Sequence, residues 1–422
     1  MTNENTPKPF EWLAGGLFFG KSKGGIESVD SCKDVLSLLT GISDNLNAYL
    51  SEFKERDASG NESAPTEDSS VEKTEPSQSQ LLASRLSRVR FLLYDERRAS
   101  SQHEHRRSTP AVAGAVMQGL TGDSLSHLVP KLLEHLHELP FESRKHMAAI
   151  FNYLLVCGLE GSDRELYQQI MAGFRDYVEI NFDKILTLIV QGHDCTAVGA
   201  SDVGLHCGSM YRSCFKHVSL YRRLVSTTPM VEKYIFPFLD KFVHLPNFEI
   251  SSDAMESLKL VFTAGVDALT FPDEASQREM ADLAASFLSR DYEAIWDDRF
   301  NPKLLSEQAN YMTKRVALQI LSTVLLTRSN YAVMIKYVNS RINLILVMKL
   351  LRDNSPHITL DAFHVFKVFV ANPNKIPEVV KILADNRDKL CRYLETLHQE
   401  KEATDAQFRD EKALIIATIQ GL

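Results

Sequence analysis

Residues 355–378, SPHITLDAFHVFKVFVANPNKIPE, decide the fold class. Ser355 followed by Pro356 has the form of an N-cap with proline in the first helical turn. The run ITLDAFHVFKVFV at 358–370 is apolar on nearly every face, so its helix needs neighbours on all sides. Phe363, Phe366 and Phe369 are therefore expected in the core. Ala371-Asn372-Pro373-Asn374 breaks the helix, and Pro377 with Glu378 opens the next one.

Working outward, helical blocks succeed one another from about Ala111 to the end. No period-2 alternation is sustained, and there is no Asn-Gly or Asp-Gly hairpin turn. Thr404 and Gln407 have capping-box spacing before a last helix that runs out at Gly421. This rhythm suggests an all-α, armadillo/HEAT-like helical-repeat solenoid, a curved rod with repeats of about 40–47 residues. No clean internal consensus accompanies it, and a globular helical bundle is the competing arrangement. Nearer the N-terminus, Val35, Leu36, Leu38, Leu39, Ile42, Leu46 and Leu50 approximate helical spacing. Residues 55–80 have no aromatic residue and only Val71 as a large aliphatic, too little apolar surface to offset ordering entropy. The expected organisation is an N-terminal segment with the first helices at 1–54, a disordered insert at 55–80, and an armadillo-like domain at 81–422.

The chain of 422 residues is 44% hydrophobic and 24% charged, enough to bury a sizeable core. A formal charge of −8 argues against a general nucleic-acid binder. Six cysteines lie at 32, 157, 195, 207, 214 and 391 with no C-x-x-C spacing, a pattern expected of reduced thiols in the cytosol or nucleus. MTNENTPKPFEW lacks the basic start and apolar core of a signal peptide, and Thr2 excludes N-myristoylation. No run reaches the ~18 apolar residues of a membrane span.

The motifs of chemistry are weak. Gly15 to Ser22, GGLFFGKS, satisfies the P-loop pattern. No strand precedes it, Gly24-Gly25 interrupts the helix that should follow, and Leu-Phe-Phe would stand beside phosphate, so an aromatic plug is the better reading. His103 with His105, His135 with His137, His193 with Cys195, and His206 with Cys207 and Cys214 invite a metal reading. None has the paired-cluster spacing of a structural zinc site. His135 and His137, two apart on a helix, should point apart, while Cys207 and Cys214 share a face and suit core packing. There is no EF-hand loop, and the G-x-S-x-G, H-R-D, D-F-G and H-E-x-x-H signatures are missing. The expectation is a protein with no catalytic residues, metal or cofactor.

Charge segregation is more informative. From Gln308 to Arg352 there are seven basic residues and no acidic one; residues 273–307 hold nine acids against four bases. Tyr311, Arg315, Gln319 and Ser322 fall on one side of a helix whose core side is Val316, Ile320, Leu321 and Val324. Tyrosine and arginine on a rigid helical face are favoured protein-binding anchors. The alternatives are a solvated face paired with neighbouring acids, or a helical-repeat transport or nucleic-acid adaptor using the basic 308–352 face.

LLRDNSPHITLDAFHVFKVFVANPNK at 350–375 closely resembles the mouse-protein-25 family, also called calcium-binding protein 39. So do Tyr311 with TKR at 313–315, LLTRSNYAVMIKYV at 325–338, NFEISSDAMESLKLVF at 247–262 and HMAAIFNYLL at 146–155. Phe19 to Ser22 resembles the family's N-terminal FGKS. The resemblance implies curved stacks of armadillo-like repeats that bind kinases of the sterile-twenty and germinal-centre group on a concave face. In animals such proteins complete a complex between a pseudokinase adaptor and liver kinase B; in fungi they act in NDR-kinase pathways for polarity and cell separation. It further implies a cytoplasmic, nuclear or cortical scaffold and activator without catalysis, nucleic-acid partner or membrane span. By resemblance, Phe248, Tyr311, Arg315, Arg328 and Tyr331 match kinase-contacting positions. Met348 matches a pocket for a partner's C-terminal Trp-Glu-Phe tail. Tyr331 stands where the animal pattern has Phe, Gln319 replaces a lysine, and Asp385 replaces a lysine of the tail site. Lys381, one turn earlier, would have to compensate for that change.

Overall fold

The apolar run that decides the fold class becomes a helix buried on both flanks. In the computed structural model, which describes residues 32–59, 76–94, 110–157, 164–194, 200–266 and 273–422, all regular structure is helical. The chain opens with α1 (Cys32–Ser59) and α2 (Gln78–Tyr94). Next come α3 (Pro110–Thr121), α4 (Leu128–Glu134) and α5 (Phe141–Val156), then α6 (Arg164–Ile180), α7 (Phe182–Gly192) and α8 (Val203–Cys214). The middle holds α9 (Val218–Leu224), α10 (Thr228–Tyr234), α11 (Phe236–Asp240) and α12 (Phe248–Phe262). After α13 (Glu274–Arg290) and a π-helix at Glu293–Leu304 come α14 (Tyr311–Leu326), α15 (Tyr331–Val338), α16 (Arg341–Leu350) and α17 (Pro356–Ala371). The chain closes with α18 (Pro377–Asp385), α19 (Arg387–Thr396), α20 (Gln399–Thr404) and α21 (Ala406–Gln420).

The packing order makes this a helical-repeat solenoid. One ladder runs α2, α5, α8, α12, α14, α17, α21, each helix against the next. A second runs α3, α6, α9, α13, α15. From α2 to α15 each unit thus contributes one helix to each ladder, and neighbours bury what a single unit leaves open. From α5 onward the first ladder's helices begin at residues 141, 203, 248, 311, 356 and 406, between 45 and 63 residues apart. That uneven period, longer than expected for most units, explains why no internal consensus is visible.

Phe363, Phe366 and Phe369 are fully buried, as expected. Val35, Leu39, Ile42, Leu46 and Leu50 form the core face of α1, whereas Leu36 is exposed. Ser355 occupies the N-cap of α17, but its hydroxyl makes no capping bond. At the last helix the expected cap is off by one residue. Asp405, not Thr404, caps α21 by accepting from the Phe408 amide at 3.0 Å. Thr404 Oγ1 instead bonds back to Lys401 O at 3.1 Å, finishing α20.

The segment 55–80 is helical at both ends, where α1 runs to Ser59 and α2 begins at Gln78. Its middle, residues 60–75, lies outside the described residues, as do the P-loop-like stretch, His103, His105 and Cys195. His135 and His137 are not on a helix: they follow α4 in a turn, and both approach Glu138, at 3.2 and 3.5 Å. Cys207 and Cys214 are core residues. Among the described residues no group of three or more His, Cys, Asp or Glu side chains is placed to hold a metal. No described helix is long and apolar enough to cross a membrane.

Candidate partner-binding surface

The first ladder presents its helix starts as fixed points. Asn310 Oδ1 accepts from the Thr313 amide at 2.8 Å and pins the start of α14 at Tyr311. Asn247 does the same for α12, accepting from Glu249 N at 2.9 Å and Ile250 N at 3.3 Å, so α12 starts at Phe248. On these two helices the first residue lies outside the packed face. Phe248 is accordingly 62% exposed and Tyr311 40% exposed.

From Tyr311 the stripe continues through Arg315, Gln319 and Ser322, while Ala317, Leu318, Ile320, Leu321, Val324 and Leu325 are buried beneath. Arg315 Nη1 donates to Tyr311 Oη at 3.3 Å. Its Nε lies 3.7 Å from Asp361 Oδ2 on α17. Both atoms are shielded from solvent, and neither has a hydrogen bond. Burial raises the Asp361 carboxyl above the usual carboxylate range, against the pull of Arg315, His364 and a Gln319 hydrogen bond. Arg315 is thereby braced from behind by a carboxylate that approaches it without a close bond.

The basic block does have acidic neighbours, contrary to the impression given by the sequence. Lys314 lies 3.6 Å from Asp353, Lys336 3.3 Å from Glu293 and Lys349 3.6 Å from Glu307. Asp353 and Glu307 adjoin residues 308–352 in the sequence and Glu293 lies further upstream, and helix packing folds all three back onto the block. Among the described residues Arg328, Arg341 and Arg352 have no ion pair at 4 Å or less.

Arg328 and Tyr331 sit elsewhere. Arg328 opens a 3-10 turn after α14, and Tyr331 begins α15 with 62% exposure. Asn330 between them is buried and donates to Val324 O at 3.1 Å, fixing the turn to the end of α14. Ser329 donates to Asp282 of α13 at 2.8 Å. The 16 residues of α14 therefore separate these two from Tyr311 by roughly 24 Å along the axis. Met348 is half-buried on α16, which packs against α18. Lys381 on α18 is exposed and ion-paired to Asp385 at 3.0 Å. The structure thus joins Tyr311, Arg315 and Gln319, sets Phe248 on the adjacent helix and Arg328 with Tyr331 at the far end of α14, and leaves Met348 and Lys381 on the neighbouring helices α16 and α18. Sequence reasoning missed Asp361, which lies 46 positions from Arg315 and has no local signal.

Residues 40–422 match the Mo25-like family. The degreening-related gene dee76 protein of Auxenochlorella protothecoides is 34% identical over 331 residues, 78% of this chain and 88% of its own length. Calcium-binding protein 39-like of Homo sapiens is 34% identical over 297 residues, 70% of this chain and 76% of that one. The conidiophore development protein hymA of Emericella nidulans is 29% identical over 360 residues, covering 81% and 83%.

Proposed function

Since the chain belongs to the Mo25-like family, we propose that it is a non-catalytic scaffold. It binds and activates a protein kinase of the sterile-twenty or germinal-centre group, or a pseudokinase relative. The observation that carries this reading is the ladder face itself: Phe248, Tyr311 and Arg315 stand exposed or half-exposed on helices whose starts are pinned by asparagine caps. Rigid aromatic and arginine anchors lose little entropy on binding. Arg328 and Tyr331, at the far end of α14, extend the contact over a length that a folded domain spans. Arg315 and Arg328 offer bidentate hydrogen bonds to kinase carboxylates, and the aromatic rings supply apolar area. Activation follows by population shift: a scaffold that binds the active kinase conformation more tightly raises its share.

Met348 with Lys381 is the proposed site for a partner's C-terminal tail. Lys381 is held by Asp385, so a tail carboxylate has to compete for it and is bound weakly. The nucleic-acid reading is disfavoured by Asp353, Glu293 and Glu307, which interleave with the basic block. Affinity capture with mass spectrometry, comparing wild type with Arg315→Ala, tests the proposal. A kinase recovered by wild type and depleted with the variant supports it; equal recovery contradicts it.

A further inference from the structure

Along the first ladder the slot held by Phe248 and Tyr311 recurs once more, at Phe141. It is the first residue of α5, as they are of α12 and α14, and it is 51% exposed. The helices also share a register behind it. Steps of 4, 8 and 11 residues lead from Phe141 to Lys145, Ala149 and Asn152. They lead from Phe248 to Ser252, Glu256 and Lys259, and from Tyr311 to Arg315, Gln319 and Ser322. None of these twelve residues is fully buried. Such steps keep to one face of a helix.

The rungs that carry the edge lie side by side, α5 on α8, α8 on α12 and α12 on α14. Arg144 near the start of α5 pairs with Asp202 at the start of α8 at 3.0 Å, and Asn152 further along donates to Ser209 at 3.0 Å. Arg212 on α8 bonds Asp253 at 2.6 Å and Ser257 at 2.8 Å on α12. At the α8 rung the same register is buried, with Val203, Cys207, Tyr211 and Cys214 in the core, and the edge is carried by polar neighbours: Asp202, just before the helix, is held by Arg144 and by His206 at 3.2 Å. With rungs roughly 8–10 Å apart, three steps carry the edge from Phe141 to Tyr311 over about 25–30 Å.

We propose that the kinase-binding surface extends along this edge to Phe141, so that one partner spans α5 to α14; this rests on the scaffold reading above. The second residue of the stripe is basic at both ends, Lys145 and Arg315, each with a carboxylate of its own chain beside it at 3.4 and 3.7 Å. The occupant is therefore a folded protein face with a row of apolar side chains against Phe141, Phe248 and Tyr311. It carries carboxylates toward Lys145 and Arg315.

The test titrates the kinase domain that the wild type captures against Phe141→Ala, Phe141→Glu and Ile180→Ala, with a thermal melt of each. Glutamate in the first turn suits the helix dipole, so Phe141→Glu keeps α5 folded while putting charge into an apolar contact. Ile180 ends α6 off the ladder and is 82% exposed, which makes it a matched control. The expected result is about tenfold weaker binding for Phe141→Ala, a larger loss for Phe141→Glu, none for Ile180→Ala, and unchanged melts. Wild-type binding by both Phe141 variants while Phe248→Ala and Arg315→Ala weaken it would overturn the extension and leave the scaffold reading intact. If no variant weakens binding, the scaffold surface itself is wrong. A dimer of this chain that Phe141→Glu dissociates would reassign the edge to self-association.

Discussion

The rungs α5, α8 and α12 and the rungs α14, α17 and α21 belong to one ladder yet are joined by different chemistry. In the first set the seams are polar: Arg144 with Asp202 and His206, Asn152 with Ser209, Arg212 with Asp253 and Ser257. Two imidazoles are buried beside them. His193 Nδ1 donates to Ile189 O at 3.0 Å between Phe238 and Phe242, and His217 Nε2 donates to Leu155 O at 2.7 Å. In the second set the joints are mixed: α14 meets α17 through Arg315 and Asp361 at 3.7 Å, while α17 is gripped by aromatic rings of α21 and of the second-ladder helix α15. Phe363 packs on Phe408 with ring centroids 5.2 Å apart, Phe369 packs on Tyr337, and Lys367 meets Glu411 at 2.8 Å. The difference teaches that a solenoid needs only complementary neighbours. Stability rests on packing at one end and also on protonation states at the other, while the proposed partner surface is spread over the outer edge of both.

The largest effect expected from this comparison is in the aromatic half. Phe366→Ala removes a fully buried ring from α17 and should destabilise by roughly 3–5 kcal/mol in denaturant unfolding. A loss below about 1 kcal/mol would mean that the rungs there are held by something other than aromatic packing.

The polar half should yield to acid. Burial lowers His146, His193 and His217 from 6.5 to about 4 in the folded state, with Arg90 adding to the effect at His146. The unfolded chain therefore takes up protons first. The stability tied to neutral imidazole is complete above about pH 6.5 and is lost as pH falls toward 4. For the enclosed His193 the loss at pH 5 should be about 2 kcal/mol. His193→Phe should flatten the dependence between pH 7 and 5 in unfolding titrations. An unchanged slope would show that this ring is not the acid-sensitive group.

Much of the second half was legible in the sequence because its signals are local. Phe363, Phe366 and Phe369 recur at helical spacing, and Pro356, Pro373 and Pro377 punctuate the helices. The site was legible where a residue's own helix decides its exposure, as with Tyr311, Arg315 and Gln319. It was not legible where packing brings distant residues together. Asp361 behind Arg315 and Asp353 beside Lys314 are such cases, and so is the slot shared by Phe141 and Phe248. The cap of α21 was legible only to within one residue, because Thr404 and Asp405 are both capping residue types and the hydroxyl of Thr404 turns back to Lys401 O while Asp405 accepts from the Phe408 amide.

The smallest effect on folding, and the sharpest on function, is expected on the outer edge. The central claim is that the partner surface is carried by the ladder without holding it together. Arg315→Ala with Arg328→Ala, followed by circular dichroism melting and by titration with a sterile-twenty-type kinase domain, tests that most directly. Arg315 touches Asp361 only at 3.7 Å, so the melt should be almost unchanged. Affinity should fall by about thirtyfold or more, ~2 kcal/mol. Normal binding by the double variant would contradict the assigned surface, and early unfolding would mean that these arginines are structural.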